Sequence, residues 1–284
     1  MNPERRELRQ PTPQQIDRLI QTALDEDLGD GDVTTDGIFR ESRQAEASAA
    51  AKEPLVLCGI EIFQAAFKRL DPNAVFPSIN YRDGDDVPAG ETIIVVRGDC
   101  ASLLKGERTA LNILQRLSGI ATLTRKFVEA AKPAVVLDTR KTTPGLRVFE
   151  KYAVRCGGGC NHRFGLFDAV LIKDNHIQAA GSITEAVARV RQNAKTGFIE
   201  VETRTLQEVQ EALRANVDRI MLDNMDDASI MEAVKRVGGK AKIEVSGSVD
   251  LQRLGQLSKT GVDYVSAGAL THSARAVDIS LNFL

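Results

Sequence analysis

Cationic side chains are concentrated in one central segment of the chain, residues 135–177. The seven cations there are Arg140, Lys141, Arg147, Lys151, Arg155, Arg163 and Lys173. They surround a glycine run together with two of the three histidines, although the whole chain carries a net charge of −2. That overall balance excludes a general nucleic-acid or membrane-surface binder, which needs a basic field. The local excess instead indicates a site for a small anion.

Two short apolar runs in this segment end directly in charged residues. Residues 135–137 precede Asp138-Thr139-Arg140-Lys141, and residues 169–172 precede Lys173. Short apolar runs are typical of buried parallel strands, and sites in parallel α/β proteins lie at the C-terminal ends of the strands. We therefore expect Arg140, Lys141 and Lys173 to face one mouth.

The rest of the C-terminal part repeats a strand–helix unit, as in parallel α/β folds. Further strands are predicted at 198–201, 220–222, 243–245 and 264–265. The helices between them are predicted at 183–193, 206–215, 228–237 and 251–257. Short strands, one helix each and no dinucleotide fingerprint favour an open, incomplete α/β barrel, because a full barrel has about eight strands.

The N-terminal part has a different pattern and predicts a separate α+β domain. Its expected elements are a helix at 13–24, a solvated acidic loop at 25–39, an extended segment at 44–57, a helix at 60–70, hairpins at 81–100 and a helix at 101–131 interrupted at Gly119. We assign residues 1–115 to this domain and 116–270 to the barrel. The alternating tail, 271–284, is predicted to return to the first domain as a strand.

Carboxylates follow two of the later strands. Glu202 and Asp223 each end an apolar run, and a buried carboxylate is costly unless it is paired or bound to a metal. Two such groups suit Mg2+ shared with phosphate oxygens. Ion pairs with Lys141 and Lys173 are the alternative, but polar groups at five strand ends favour a site.

Small residues follow the last two strands, and a glycine run separates the first two. Ser246-Gly247-Ser248 and Gly268-Ala269 allow backbone N–H groups to close around a phosphate, although a tight turn explains them too. After the run at 157–159 come His162 and Arg163. With Arg140 and Lys141 they suit a dicarboxylate, since arginine grips carboxylates in bidentate fashion.

The four cysteines are too few for a disulfide framework in a chain of 284 residues. Cys156, Cys160 and His162 suggest zinc, but no second ligand pair completes a tetrahedral site. No apolar run reaches the length of a transmembrane helix, and the N-terminus lacks the apolar segment of a signal peptide, so we expect a cytoplasmic protein. Arg108, judged on its helical context alone, is interpreted as an exposed surface residue.

Long motifs in the chain closely resemble the quinolinate phosphoribosyltransferase family. The strongest are DTRKTTPGLRVFEKYAVRCGGGCNHR and LIKDNHI, with EDLGDGDVTT, ERTALNILQRLSGIAT, IEVET, MLDNM, EVSGS and SAGALTHS. The resemblance implies an N-terminal α/β sandwich and an open α/β barrel. It also implies transfer of a phosphoribosyl group from 5-phosphoribosyl-1-pyrophosphate to quinolinate with Mg2+. The products would be nicotinate mononucleotide, pyrophosphate and CO2, in de novo NAD biosynthesis.

The resemblance also implies roles for the cations. Residues matching Arg140, His162 and Arg163 bind the carboxylates of quinolinate in this family. Those matching Lys141 and Lys173 lie near the substrate and pyrophosphate.

Further positions follow from the same motifs. Residues matching Glu202 and Asp223 lie near metal and ribose, and the segments matching 246–247 and 268–269 hold phosphate. The next residue, Ser248, is often glycine or asparagine in the family, a change that a backbone contact tolerates. The arginine matching Arg108 reaches the neighbouring subunit's site. The resemblance thus implies a homodimer or higher homo-oligomer, and reverses the interpretation of Arg108 from its helix alone.

Three other functions remain open at this point. The first is a related phosphoribosyltransferase that acts on another acceptor, such as nicotinate. The second is an aldolase that forms a Schiff base at Lys173. The third is a non-catalytic protein that binds an anion or a metal through Cys156, Cys160 and His162.

Overall fold

The structure is a computed structural model that describes residues 10–194 and 197–284. Within them the helices are α1 (Pro13–Leu28), α2 (Val33–Ile38), α3 (Ile60–Leu70), α4 (Cys100–Ala131), α5 (Arg147–Cys156), α6 (Asp174–Ala180), α7 (Ile183–Asn193), α8 (Leu206–Arg214), α9 (Asp227–Val237), α10 (Leu251–Leu257) and α11 (Ala269–His272). The strands are β1 (Gln44–Ala51), β2 (Leu55–Val56), β3 (Val75–Ile79), β4 (Asp86–Val87), β5 (Thr92–Asp99), β6 (Val135–Leu137), β7 (Val170–Ile172), β8 (Ile199–Thr203), β9 (Arg219–Asp223), β10 (Lys242–Ser246), β11 (Tyr264–Ser266) and β12 (Ile279–Phe283).

The C-terminal part is built on a six-stranded sheet of order β6-β11-β10-β9-β8-β7. Every pairing in it is parallel. The core strand β8 is buried along its whole length, as expected for a parallel strand covered on both faces. Among the described residues, β6 and β7 are the two edge strands and do not pair with each other. The sheet is therefore an open, incomplete barrel, as predicted.

Side-chain caps start the helices that follow these strands. Thr205 and Glu208 form a capping box at α8, and Asp226 and Asp250 cap α9 and α10. Each such cap contributes about 1 kcal/mol. The caps set the point at which each chain segment leaves its strand, and they keep the short loops at the strand ends in a defined geometry.

The N-terminal part is the predicted α+β domain. Its sheet has the order β12-β1-β5-β3 and is antiparallel. Helix α3 buries Phe63 and Phe67, whose rings meet edge to face with centroids 5.0 Å apart. The tail of the chain forms β12, which pairs with β1.

The chain separates into two compact units that alternate along the sequence. One contains Lys126–Thr142 and Gly159–His272, and the other contains the described part of Glu7–Arg125, together with Thr143–Gly158 and Ser273–Leu284. The predicted boundary after residue 115 lies inside the continuous helix α4. Helix α5, which the sequence pattern did not reveal, belongs to the second unit although it lies between two barrel strands in the chain. Local periodicity does not show against which unit a helix packs.

Three local predictions were wrong. The hairpins predicted at 81–100 do not form, because β4 pairs with β2 whereas β5 pairs with β1 and β3. The acidic segment 25–39 is largely helical, because α1 continues to Leu28 and Asp32 caps α2 by accepting the N–H groups of Thr34 and Thr35, both at 3.0 Å. Helix α4 is not interrupted at Gly119. A Cβ there would lie 2.0 Å from the carbonyl oxygen of Arg275, so the glycine allows a close backbone contact instead of a break.

Candidate functional site

A pocket of about 810 Å3 opens at the C-terminal ends of the parallel strands. Its volume lies in the range of small-molecule sites. The predicted site residues that line it are Arg140, Lys141, His162, Arg163, Lys173, Glu202, Asp223, Ser246, Gly247, Ser248, Gly268 and Ala269. Arg108 is not among the lining residues and is exposed on α4. The strand-end argument therefore brought together every predicted residue of the barrel.

Asp138 fixes the loop that carries His162 and Arg163. This fully buried carboxylate, next to the end of β6, accepts the backbone N–H of His162 at 2.9 Å and the side-chain amide of Asn161. The backbone of Cys160 bonds to Val136 and Asp138 at 2.8 and 3.1 Å. The loop therefore runs alongside β6 and directs two cationic residues into the pocket.

The imidazole of His162 is held from both sides. Its Nδ1 accepts the backbone N–H of Arg163 at 2.7 Å, so in the neutral ring the proton lies on Nε2. That nitrogen lies 3.1 Å from Glu200 and 3.7 Å from Glu244. Burial lowers the pKa of His162, but the carboxylates of Glu244 and Glu200 outweigh this and raise it.

Arg219 lies beside the same two carboxylates in the barrel interior. Its Nη1 is 2.9 Å from Glu244 and 3.9 Å from Glu200, and its guanidinium lies 4.1 Å from the ring centroid of Tyr264. Burial and then the charge of Glu200 raise the pKa of Glu244 to about 7. Burial also acts to raise the pKa of Glu200, but His162 and Arg219 hold it below its usual value. We call His162, Glu200, Arg219 and Glu244 the buried charge network.

The mouth of the pocket carries alternating charges. Lys173 Nζ lies 2.7 Å from Glu202. Arg204 lies 2.8 Å from Asp174, 3.5 Å from Asp223 and 3.9 Å from Glu202. Lys173 Nζ is thus held by a carboxylate instead of being presented alone to a carbonyl substrate, so this geometry disfavours the aldolase hypothesis.

The turns after the last two strands are closely packed. Gly247 has a φ of +95°, and a Cβ there would lie 2.1 Å from Asn224 Oδ1. Arg253 donates to the carbonyl oxygens of Gly247 and Met225 at 3.0 and 2.6 Å. At Gly268 a Cβ would lie 2.9 Å from Lys141 Cδ. The positive φ at position 247 favours glycine, and both turns place backbone at the pocket wall.

Some lining residues escaped the sequence analysis. Asp174 and Arg204 also line the pocket. Asp174 follows Lys173 directly, and Arg204 lies two residues after Glu202, so including two more residues after each strand would have predicted them. The signal for Glu200, Arg219 and Glu244 is a charged residue inside a buried parallel strand.

Cys156, Cys160 and His162, considered above only as an alternative metal site, do not come together among the described residues. Cys156 instead lies with Cys58 and Asp83, and His162 lies with Glu200 and Glu244. The spacing in the sequence suggested a shared site because it does not show which way each side chain points.

The fold and pocket define an open α/β-barrel protein whose strand ends surround a pocket lined by cationic side chains. Two family models match the chain: the C-terminal domain of quinolinate phosphoribosyl transferase over residues 120–282, and the N-terminal domain over residues 32–118. The chain belongs to the quinolinate phosphoribosyltransferase family.

Individual relatives agree over nearly the whole chain. A probable nicotinate-nucleotide pyrophosphorylase (carboxylating) of Bacillus subtilis is 45% identical, with 94% of this chain and 93% of that protein covered. Quinolinate phosphoribosyltransferase (decarboxylating) 1b of Nicotiana tabacum is also 45% identical, covering 93% of this chain and 81% of that protein. The crystal structure of NadC from Streptococcus pyogenes superposes with a TM-score of 0.92 at 45% identity, covering 96% of this chain and 98% of that one.

The described helices include none with both the length and the apolar character needed to cross a bilayer.

Proposed function

We propose that this protein transfers the phosphoribosyl group of 5-phosphoribosyl-1-pyrophosphate to quinolinate with decarboxylation. The products are nicotinate mononucleotide, pyrophosphate and CO2, and the step belongs to de novo NAD biosynthesis. One observation carries the proposal: a single pocket holds both the arginine–histidine cluster and the two glycine turns. An acidic aromatic acceptor and a phosphorylated donor need these two surfaces within reach of one another.

The acceptor end is formed by Arg140, His162 and Arg163. Burial lowers the pKa of Arg163, and the neighbouring charge of Arg140 lowers it further. Two guanidinium groups held this close are stabilised by a dianion between them, and each can grip one carboxylate of quinolinate. Nicotinate has a single carboxylate and leaves one arginine without a partner, which explains the expected preference.

The donor end is formed by lysines and by the turns after the last two strands. Lys141 and Lys173 supply positive charge for the pyrophosphate, and the glycines at 247 and 268 let the backbone approach the 5′-phosphate. Breaking the bond at the anomeric carbon builds positive charge on the ribose and negative charge on the leaving group. Glu202 and Asp223 stabilise the first and the lysines the second.

Mg2+ fits the same end of the pocket. Glu202 and Asp223 present hard oxygen donors close to Lys173 and Arg204, and Mg2+ is typically bound by one or two carboxylates with substrate phosphates and water. When bound, the ion neutralises charge on the pyrophosphate. Two carboxylates are too few for an all-protein cage, which agrees with an ion that arrives with the donor.

Decarboxylation requires orientation more than a further reactive group. Once the ring nitrogen is bonded to ribose it is cationic, and the electron pair left by departing CO2 develops beside it. The arginine pair fixes the ring while this occurs, so the chain needs no nucleophile.

The proposed functional unit is a homodimer in the cytoplasm. Arg108 is exposed on α4 and lies outside the lining of its own pocket, which suits an arginine donated to a neighbouring site. All four cysteines are free thiols, as is usual in a reducing compartment.

The test of the reaction is an assay of purified protein with 5-phosphoribosyl-1-pyrophosphate, Mg2+ and quinolinate, nicotinate or nicotinamide in parallel. We expect nicotinate mononucleotide from quinolinate alone. Turnover only with another acceptor would refute the assignment of quinolinate.

The division of the pocket into an end that binds quinolinate and an end that binds 5-phosphoribosyl-1-pyrophosphate is tested with Arg140→Ala and Arg163→Ala. Each variant should lose quinolinate binding while it retains 5-phosphoribosyl-1-pyrophosphate, as measured by calorimetry with each ligand. Arg189→Ala, on the exposed face of α7, is the control and should bind both. Equal loss of both ligands would contradict the division.

The role of Arg108 is tested by mixing two inactive variants, Arg108→Ala and Arg140→Ala, under conditions of subunit exchange. If Arg108 serves the neighbouring site, each hybrid dimer has one intact site and activity recovers to about a quarter of the wild-type value, as twofold symmetry requires. No recovery in hybrids verified by mass spectrometry would show that Arg108 acts within its own subunit.

A further inference from the structure

Two cysteine thiols and a carboxylate converge in the compact unit that contains the N-terminal sheet. The Sγ atoms of Cys58 and Cys156 and a carboxylate oxygen of Asp83 all lie within 4.8 Å of one another. They come from three separate segments: the residue before Gly59 at the start of α3, the turn before β4, and the last residue of α5. None of the three lines the pocket at the strand ends, so the cluster is separate from the proposed active site.

Three hydrogen bonds hold the Asp83 carboxylate in place and leave one of its acceptor positions available. Asp83 Oδ1 accepts the N–H groups of Gly59 and Ile60 at 2.9 and 3.1 Å, and Oδ2 accepts the hydroxyl of Tyr152 at 2.9 Å. A carboxylate offers about four acceptor positions. One position therefore remains, on the oxygen that accepts the Tyr152 hydroxyl, and hydrogen-bond partners of this kind orient metal-binding groups.

The backbone segments that carry the two thiols are also held in place by hydrogen bonds. The backbone N–H of Cys58 donates to Ser118 Oγ at 3.0 Å, and the Cys58 side chain is fully buried. Cys156 is the last residue of α5, and the next residue, Gly157, donates its backbone N–H to the carbonyl oxygens of Ala153 and Arg155. Cys156 and Asp83 are only half-buried, so a small ion can reach the cluster from solvent.

We propose that Cys58, Asp83 and Cys156 form a binding site for a soft divalent cation of the zinc class. Two thiolates and one carboxylate are a ligand set that zinc accepts, and a water molecule completes four-coordination. Binding replaces the two thiol protons, which leave to solvent, and no electron is transferred. The cation would brace three segments of one compact unit.

The third group distinguishes this site from a simple pair of thiols. A disulfide would join the two sulfurs and give Asp83 no part. Asp83 accepts the N–H groups of Gly59 and Ile60, and a carboxylate oxygen of the same residue lies within 4.8 Å of both sulfurs. Burial raises the pKa of the Cys58 thiol, so the cation must compete with its proton.

The experiment uses the full chain without an affinity tag, treated with a chelator, desalted, and incubated with Zn2+ alone. Retained zinc is measured by inductively coupled plasma mass spectrometry. Co2+ in its place gives a thiolate-to-metal absorption band that reports sulfur coordination. We expect about one zinc per chain and the cobalt band.

Matched variants assign the ligands. Cys58→Ser and Cys156→Ser should lose both the metal and the band, whereas Cys100→Ser and Cys160→Ser change equivalent thiols outside the cluster and should keep them. Tyr152→Phe should weaken zinc binding by about 10–100-fold, because it removes the partner that orients Asp83. Circular dichroism of every variant verifies the fold.

Three results would overturn the proposal: no retained zinc in the wild type, equal retention in Cys58→Ser, or a Cys58–Cys156 disulfide in protein isolated under air-free conditions. None depends on the phosphoribosyl assay, so failure of this site and failure of the proposed reaction are separate outcomes.

Discussion

Replacing Arg219 by methionine tests the buried charge network. The Arg219 side chain is 6% exposed and its closest partner, Glu244, is 0% exposed. Methionine reproduces the unbranched apolar stem of arginine and ends about where Nε lies, so the main change is loss of the guanidinium group and its positive charge. It leaves two buried carboxylates whose remaining counter-charge is His162.

The expected cost follows from that burial. Removing one partner of a buried ion pair costs roughly 3–5 kcal/mol, because the other charge remains without compensation. Loss of the contact with the Tyr264 ring adds about 0.5–2 kcal/mol, which the methionine sulfur partly offsets. The matched control is Arg189→Met, since Arg189 pairs with Glu185 on an exposed face at 2.8 Å. An exposed pair of this kind contributes at most about 0.5 kcal/mol.

The assay is urea unfolding followed by far-ultraviolet circular dichroism on the wild type and both variants. The double variant Arg219→Met/Glu244→Gln removes both charges and should recover about 1–3 kcal/mol relative to Arg219→Met alone. Two results would refute the reasoning: a free energy of unfolding for Arg219→Met within about 1 kcal/mol of the Arg189→Met control, or no recovery in the double variant.

Two further predictions concern stability. Glu244, with its pKa raised from 4.5 to about 7, binds a proton in the folded state over a pH range where the unfolded chain has lost it. Its contribution to stability is therefore present below that range and lost as pH rises through about 7. Glu244→Gln should remove this part of the pH dependence in urea titrations, and an unchanged profile would contradict it. Gly119→Ala should destabilise by about 1–3 kcal/mol because its Cβ meets the Arg275 carbonyl, whereas Gly255→Ala, with nothing within 4 Å of its Cβ, should not lower the melting temperature. Equal melting temperatures for the two alanine variants would count against the close contact.

The strand–helix rhythm predicted most of the barrel because its signals are local. The strands predicted at 135–137, 198–201, 220–222 and 243–245 correspond to β6, β8, β9 and β10, with only residue 198 outside its strand. Parallel strands end at the same edge of a sheet, so residues that follow them are neighbours in space although far apart in the chain. That single rule placed Arg140, Lys173, Glu202 and Asp223 around one pocket.

Local signals failed where a distant partner decides the structure. Gly119 predicts a break in a helix, yet the helix continues because another segment packs against it. By contrast, α2 within residues 25–39 depends on a local signal that was not recognised, because the adjacent Asp32 satisfies its first N–H groups. Intrinsic propensity is a weak prior that tertiary context overrides.

Residue types and their order were enough to predict the open barrel, the barrel residues that line the pocket at the strand ends and the family, because these depend on periodicity and on contiguous motifs. Tertiary structure alone decided which charges compensate one another in the interior. It turned Glu200 and Glu244 toward both His162 and Arg219, and it placed Cys156 beside Cys58 instead of Cys160. Such contacts depend on strand register and on the direction of each side chain, and the amino-acid sequence alone specifies neither directly.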